Sequence, residues 1–162
     1  MQLKIMSKGK MMHAVELQNV TVVYGSGTPL EKTALKDISL KIEEGSVVGL
    51  IGHTGSGKST LVKLLNGLQK PFSGKVSILS EDVWKDPKRM RWVRGKVGLV
   101  FQYPEYQLFE ETVYADIAFG PKNMGFTGEE LDKTVRSAAK FCGLDDSVLL
   151  RSPFEISGGQ KR

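Results

Sequence analysis

The chain has 162 residues, of which 40% are hydrophobic and 25% charged, and its net charge is +5. That is enough for one domain with a sizeable core, and no apolar run is long enough to span a bilayer. A single cysteine, Cys142, excludes an internal disulfide and fits a reducing cytoplasm.

Residues 1–13 lack the apolar stretch of a signal peptide and are expected to form a flexible N-terminal segment ahead of one domain over residues 14–162. Val15, Leu17, Val20 and Val22 predict a first strand with an irregularity near Asn19. Ile38, Leu40 and Ile42 alternate with polar residues as a second strand, and Glu43-Glu44-Gly45 reads as a turn. Val47-Val48-Gly49-Leu50-Ile51 is apolar throughout and predicts a short buried strand, the first piece of a parallel core. Next comes Gly52-His53-Thr54-Gly55-Ser56-Gly57-Lys58-Ser59, the G-x-x-x-x-G-K-[ST] spacing of a phosphate-binding loop. Its glycines let backbone N–H groups turn inward around phosphate oxygens. Lys58 can reach the β- and γ-phosphates, and the Ser59 hydroxyl can ligate Mg²⁺. Leu61, Leu64, Leu65 and Leu68 then share one helical face, so a helix N-terminus adds its positive dipole end to the phosphate site. With glycine at about 7% usage, a chance match in a chain this long arises on the order of one time in a hundred.

Further along, Pro71–Gly74 is a loop, and Val76 and Ile78 mark another short strand. Lys85, Lys88, Arg89, Arg91, Arg94 and Lys96, with Trp84 and Trp92 among them, form the densest basic stretch. Such a run can bind single-stranded nucleic acid. Asp86 followed by Pro87 resembles an N-cap and first-turn proline, which favours a short solvated helix. The +5 charge as a whole fits nucleic acid, an anionic membrane face, or simple solubility. Val97-Gly98-Leu99-Val100-Phe101 is a second candidate for the buried parallel sheet. The rest is predicted helical. Thr127 and Glu130 make a capping-box pattern. Leu131, Val135, Ala138, Ala139 and Cys142 share a face, which makes Cys142 a core residue, and Gly143 sits where a C-terminal cap belongs.

The chain ends with Ile156-Ser157-Gly158-Gly159-Gln160-Lys161-Arg162. Alone, Ser-Gly-Gly-Gln is a weak signal that fits a turn facing an anion. Paired with a phosphate loop about a hundred residues upstream, it resembles the nucleotide-binding domain of ATP-binding cassette (ABC) proteins, whose signature is [LI]-S-G-G-Q. The resemblance covers residues 14–162. It implies an α/β P-loop NTPase fold: a mixed or parallel sheet core, an antiparallel β portion before it, and a helical subdomain before the signature. It further implies ATP and Mg²⁺ as cofactors. Gly52, His53, Thr54, Gly55, Ser56, Gly57, Lys58, Ser59 and Thr60 would hold the nucleotide. Tyr24 would stack on adenine, against the plainer reading of a half-buried tyrosine ending a strand. Gln102 would position water and, with Ser59, approach Mg²⁺; an amide can ligate a cation through oxygen and donate through nitrogen. Ser157, Gly158, Gly159 and Gln160 would cover the ATP of a second subunit.

Phe101-Gln102-Tyr103-Pro104-Glu105-Tyr106-Gln107-Leu108-Phe109, Glu111-Thr112-Val113 and Phe119-Gly120-Pro121-Lys122-Asn123-Met124-Gly125 narrow the match. With His53-Thr54 inside the loop, they look like the ATPases of energy-coupling factor (ECF) transporters, of the second type in the pair. That implies a heterodimer with another ATP-binding subunit, a transmembrane coupling subunit and a substrate-binding membrane component. The expected place is the peripheral cytoplasmic face of the cell membrane, the cargo a vitamin or transition-metal ion, and no nucleic acid is expected. His53 is then a variable loop position and not a metal ligand.

Three further family parts, the Walker B aspartate, the adjacent glutamate base and a switch histidine, would follow the signature. The chain is therefore expected to be an N-terminal fragment with Ser157 capping nothing and with negligible hydrolysis of its own. Two other functions share motifs with it: a DNA-repair or chromosome-structure ATPase, and a nucleotide-binding module without catalysis. The first usually inserts a long coiled coil between loop and signature, and none lies between Lys58 and Ser157.

Overall fold

The computed structural model describes residues 13–86 and 88–161. They fall into two compact units, one running to Leu99 and the other starting at Val100. The expected flexible segment falls on residues 1–12, which lie outside the described residues; His13 already opens the first strand.

The first unit is built on β1 (His13–Tyr24), β2 (Lys32–Glu43), β3 (Ser73–Ile78) and the two-residue β4 (Glu81–Asp82), ordered β2-β1-β3-β4. All pairings are antiparallel. The irregularity expected near Asn19 is present. The β1–β2 register shifts between Leu17 and Val20, and Asn19 takes φ 49°. Its side chain donates to Asp37 Oδ1 at 2.8 Å, and Asp37 itself has φ 51°. Asn and Asp enter this left-handed region most readily because their short polar side chains bond locally.

One face of this sheet carries Leu17, Val20, Val22, Leu35, Val76 and Ile78. It packs against Leu64 of α1 (Lys58–Leu65) and Val93 of α2 (Arg89–Lys96). Leu64 is wholly buried, and covering a leucine contributes about 1.5–3 kcal/mol. Asp86 begins the turn into α2: its Oδ1 accepts from Lys88 N at 2.9 Å and its carbonyl from Arg89 N at 3.0 Å. Pro87 lies outside the described residues.

The two apolar runs expected to start a parallel sheet are not strands. Val47–Ile51 and Val97–Phe101 have no ladder partner among the described residues, and Val47, Ile51 and Val100 are largely exposed. A strand exists only where a neighbour takes up its N–H and C=O groups. Neither β2 nor β4 offers that pairing to them.

The second unit is helical. It contains a 3-10 turn at Pro104–Gln107, then α3 (Val113–Met124), α4 (Gly128–Phe141) and the short α5 (Asp146–Leu149) and α6 (Gly158–Lys161). Val113, Ala139, Val148 and Leu149 form its core. Thr112 caps α3 by accepting from Ala115 N at 3.1 Å. Thr127 stands at the N-cap of α4 as expected, yet its side chain makes no capping bond. Gly143 ends α4 at φ 73°; its N–H donates to Lys140, and that of Leu144 to Ala139, closing a Schellman turn. Cys142 departs from expectation. It sits at the C-cap beyond the last helical residue and is exposed, on the wall of a cavity of about 320 Å³ lined by α3 and α4. Arg136 ties α4 to α5, pairing with Asp132 at 2.8 Å and Asp146 at 3.1 Å.

Candidate functional site

The phosphate loop curls through two left-handed glycines, Gly55 at φ 83° and Gly57 at φ 91°. Gly57 is the N-cap of α1, so the turn and the helix start share one residue. A Cβ there would stand 2.7 Å from both the Ala34 carbonyl oxygen and Leu35 Cδ2. At Gly52 a Cβ would meet Ser56 Oγ at 2.5 Å. At Gly57, where φ is positive and backbone of β2 stands close, only glycine lets the chain pass without displacing its neighbours.

Lys58 holds the centre of the loop. Its ammonium donates to the carbonyls of Gly52 at 2.6 Å and His53 at 2.8 Å. The Ser56 N–H donates to the His53 carbonyl at 3.2 Å and closes the turn. The α1 ladder begins with Leu61 N donating to Gly57 O at 2.9 Å, so the amides of Lys58, Ser59 and Thr60 lead the helix as its unpaired first turn. Ser59 is exposed beside them, and Thr54 and Gly55 lie exposed on the loop. A loop only glycine can follow, a lysine over it and a free helix N-terminus form a fit cradle for a polyphosphate. The Ser59 hydroxyl, exposed in the first turn of α1, is a hard-oxygen donor of the kind Mg²⁺ takes. The His53 ring nitrogen Nδ1 lies 2.8 Å from the Thr54 carbonyl, a local contact at the loop surface.

Tyr24 ends β1, and its hydroxyl lies 3.2 Å from Thr60 Oγ1, in the first turn of α1. Tyr24 is 39% exposed beside the buried Thr60, so it stands next to the start of α1 within reach of solvent. This tyrosine–threonine contact was not legible beforehand, because the residues are 36 positions apart.

Gln102 and the Ser-Gly-Gly-Gln turn belong to the second unit. Gln102 is exposed at the start of an aromatic loop in which Tyr103 and Tyr106 pack at 5.8 Å, and Phe109 meets Phe119 of α3 edge-on at 4.9 Å. Asp116 Oδ1 accepts long bonds, 3.4 Å each, from Phe109 N and Glu110 N, tying the loop end to α3. Sequence reading missed Asp116. Its place in the first turn of α3, just after the capping Thr112, was the available signal.

Ser157 does cap a helix, contrary to expectation. Its hydroxyl accepts from Gln160 N at 3.3 Å, and Gln160 Oε1 accepts from Ser157 N at 3.0 Å, a reciprocal capping box opening α6. Four residues suffice, because both bonds lie within the Ser-Gly-Gly-Gln segment. Gly158 and Gly159 are exposed between them.

Residues 35–162 match the family model described as ABC transporter. The chain belongs to the ABC transporter family. It is 53% identical over 150 residues to the energy-coupling factor transporter ATP-binding protein EcfA2 of Clostridium tetani, covering 92% of this chain and 52% of that protein. To EcfA2 of Streptococcus pneumoniae it is 51% identical, over 91% of this chain and 54% of that one. The chain thus spans about half the length of the curated relatives it matches. Among solved structures, it is similar to cbiO1 of Clostridium perfringens, described as part of the ABC transporter complex cbiONQ. The TM-score is 0.78 at 33% identity, over 93% of this chain and 58% of that one. The ATP-binding cassette MJ0796, solved as a dimer bound to ADP and Pi, gives 0.76 at 31%, over 91% and 65%. The fold is that of a P-loop ABC ATPase, with an antiparallel N-terminal sheet and a helical second unit.

Proposed function

We propose that this chain is the nucleotide-binding part of an ATP-binding subunit that powers an ECF-type importer of micronutrients, vitamins or transition-metal ions. The observation that carries the reading is the Lys58-centred loop, packed through Gly57 onto β2, in a chain that also holds a capped Ser-Gly-Gly-Gln turn. Identity of 51–53% to proteins named as energy-coupling factor subunits supports the transporter class.

Bound Mg²⁺–ATP supplies a transferable γ-phosphoryl group and the binding energy that closes a two-subunit site. Lys58 exchanges its loop carbonyls for phosphate oxygens and neutralises their charge. The first-turn amides of α1 donate to the same oxygens. Ser59 would offer its hydroxyl to Mg²⁺, Gln102 would contribute its amide toward Mg²⁺ and the attacking water, and Tyr24 would offer its exposed ring to adenine. The exposed Ser157–Gln160 turn faces the ATP of a second ATP-binding subunit. A transmembrane coupling subunit and a substrate-binding membrane component complete the assembly, with this subunit peripheral on the cytoplasmic face of the membrane.

Two measurements test this. A fluorescent ATP analogue should bind the chain in a Mg²⁺-dependent way, and Lys58→Ala should weaken it at least about tenfold, as loss of a charge-assisted contact to phosphate requires. Equal binding by Lys58→Ala would overturn the site. Co-expression should recover the full-length protein with a second ATPase and a membrane protein. Recovery with DNA in a salt-sensitive complex instead would favour the DNA-repair class.

A further inference from the structure

Residues 81–96 hold six basic and three acidic side chains, three of the chain's five net positive charges in one-tenth of its length. The structure shows how they are disposed. Met90 and Val93 turn α2 inward onto the sheet. Arg91 and Arg94 on α2, Lys96 at its end and Lys85 and Lys88 before it are all exposed. Of the six cations only Arg89 has an ion-pair partner among the described residues, Glu81. The two remaining acids are engaged with backbone: Asp82 Oδ1 accepts from Trp84 N, and Asp86 Oδ1 from Lys88 N. Five exposed cations without an ion-pair partner among the described residues therefore lie on and just before α2, and Trp92, 37% exposed, stands beside Arg91 on the helix.

We propose that the α2 face docks on the surface of an anionic lipid bilayer, with the cations on headgroup phosphates and the Trp92 ring at headgroup level. Clustered Lys and Arg are attracted by the surface potential of an anionic leaflet, and an indole prefers the membrane interface. Long basic side chains reach outward to phosphates while their stems cover apolar surface. Nucleic acid fits less well. A single-strand groove stacks successive bases on several aromatics. Here Trp84 packs against the core and leaves Trp92 as the exposed ring on this helix. The surface uses none of the nucleotide-site residues, so it stands or falls separately from the ATP reading.

Flotation of the full chain with vesicles tests the proposal. Vesicles of equimolar phosphatidylglycerol and phosphatidylcholine should capture it at least about tenfold better than phosphatidylcholine alone, and about 0.5 M salt should release it. Arg91→Glu with Arg94→Glu should lower capture about tenfold with unchanged far-ultraviolet dichroism and ATP-analogue affinity. If that pair fails to fold, Lys85→Glu with Lys96→Glu asks the same question. Trp92→Ala should abolish the blue shift of tryptophan emission on vesicle addition. Equal capture by both vesicle types, capture indifferent to charge reversal, or preference for oligothymidylate over anionic vesicles would overturn it. Vesicle binding with no ATP-analogue binding would leave it standing and sink the nucleotide reading instead.

Discussion

Replacing Gly57 and Gly55 by alanine, one at a time, separates two reasons a phosphate loop needs glycine. Both residues have positive φ, 91° and 83°. That conformation costs an alanine about 1–2 kcal/mol, partly offset by about 0.4–1 kcal/mol because alanine has less freedom to lose on folding. Gly55→Ala adds nothing more, since no heavy atom lies within 4 Å of its added Cβ. It should cost roughly 0–1.5 kcal/mol on those terms. Gly57→Ala must also push back the Ala34 carbonyl and Leu35 Cδ2, each 2.7 Å away. Overpacking of this kind adds about 1–3 kcal/mol, for a total near 1–4 kcal/mol. At about 2–4 °C per kcal/mol for a chain this size, Gly57→Ala should lower Tm by up to roughly 15 °C and Gly55→Ala by a few degrees at most. Thermal unfolding followed by dichroism gives the stability term, and ATP-analogue titration reports whether the cradle survives. If Gly55→Ala destabilises as much as Gly57→Ala, the contact with β2 is not what Gly57 is there to permit.

Three further substitutions probe other parts. The β3–β4 turn places Leu79 at φ 48° and Ser80 at φ 68°, the two left-handed positions of a turn that favours Asn-Gly; Ser80→Gly should raise stability by about 0.5–1 kcal/mol, read in denaturant. Thr112→Ala removes the cap of α3 and should cost about 1 kcal/mol by the same measurement. The hydrogen bond from Arg136, helped by its charge and by Tyr114, holds the Asp132 carboxyl below its ordinary value of 3.8. A depressed carboxyl contributes stability that is fully present above the ordinary value and is lost as pH falls through the folded one. Tm of the parent should therefore fall more steeply below about pH 4 than Tm of Asp132→Asn, and parallel acid curves would refute the role of the pair.

Local signals in the sequence held at several backbone turns, although Thr127 reaches the N-cap of α4 without the capping bond its pattern predicts. The Asn19 irregularity, the Gly45 turn, the glycine turn into α1 and the Gly143 cap each depend on a few neighbouring residues, and each stands where expected. The signature serine shows the limit of that logic. The expectation that Ser157 caps nothing places the signature helix beyond the chain, whereas the capping box with Gln160 closes inside four residues. Side-chain contacts across the chain were not legible. Nothing in the spacing joins Tyr24 to Thr60, or sets Leu35 against Gly57. Cys142 failed for a related reason: helical periodicity names a face but does not say whether the next turn exists to bury it.

Val47–Ile51 is the more instructive departure, because the phosphate loop is formed although the run leading into it is not a strand. Apolarity expresses a preference for burial, and burial in a sheet needs a neighbour that the sequence of the strand cannot supply. The loop is held from its other side. Gly57 packs on β2, the Leu61 amide starts α1 on the Gly57 carbonyl, Leu64 anchors that helix in the sheet core, and Lys58 gathers the loop carbonyls. The loop is therefore held here by the antiparallel sheet and α1, with no ladder partner for Val47–Ile51 among the described residues. The close approach of Gly57 to Ala34 and Leu35 is thus the point at which the loop connects to the rest of the first unit.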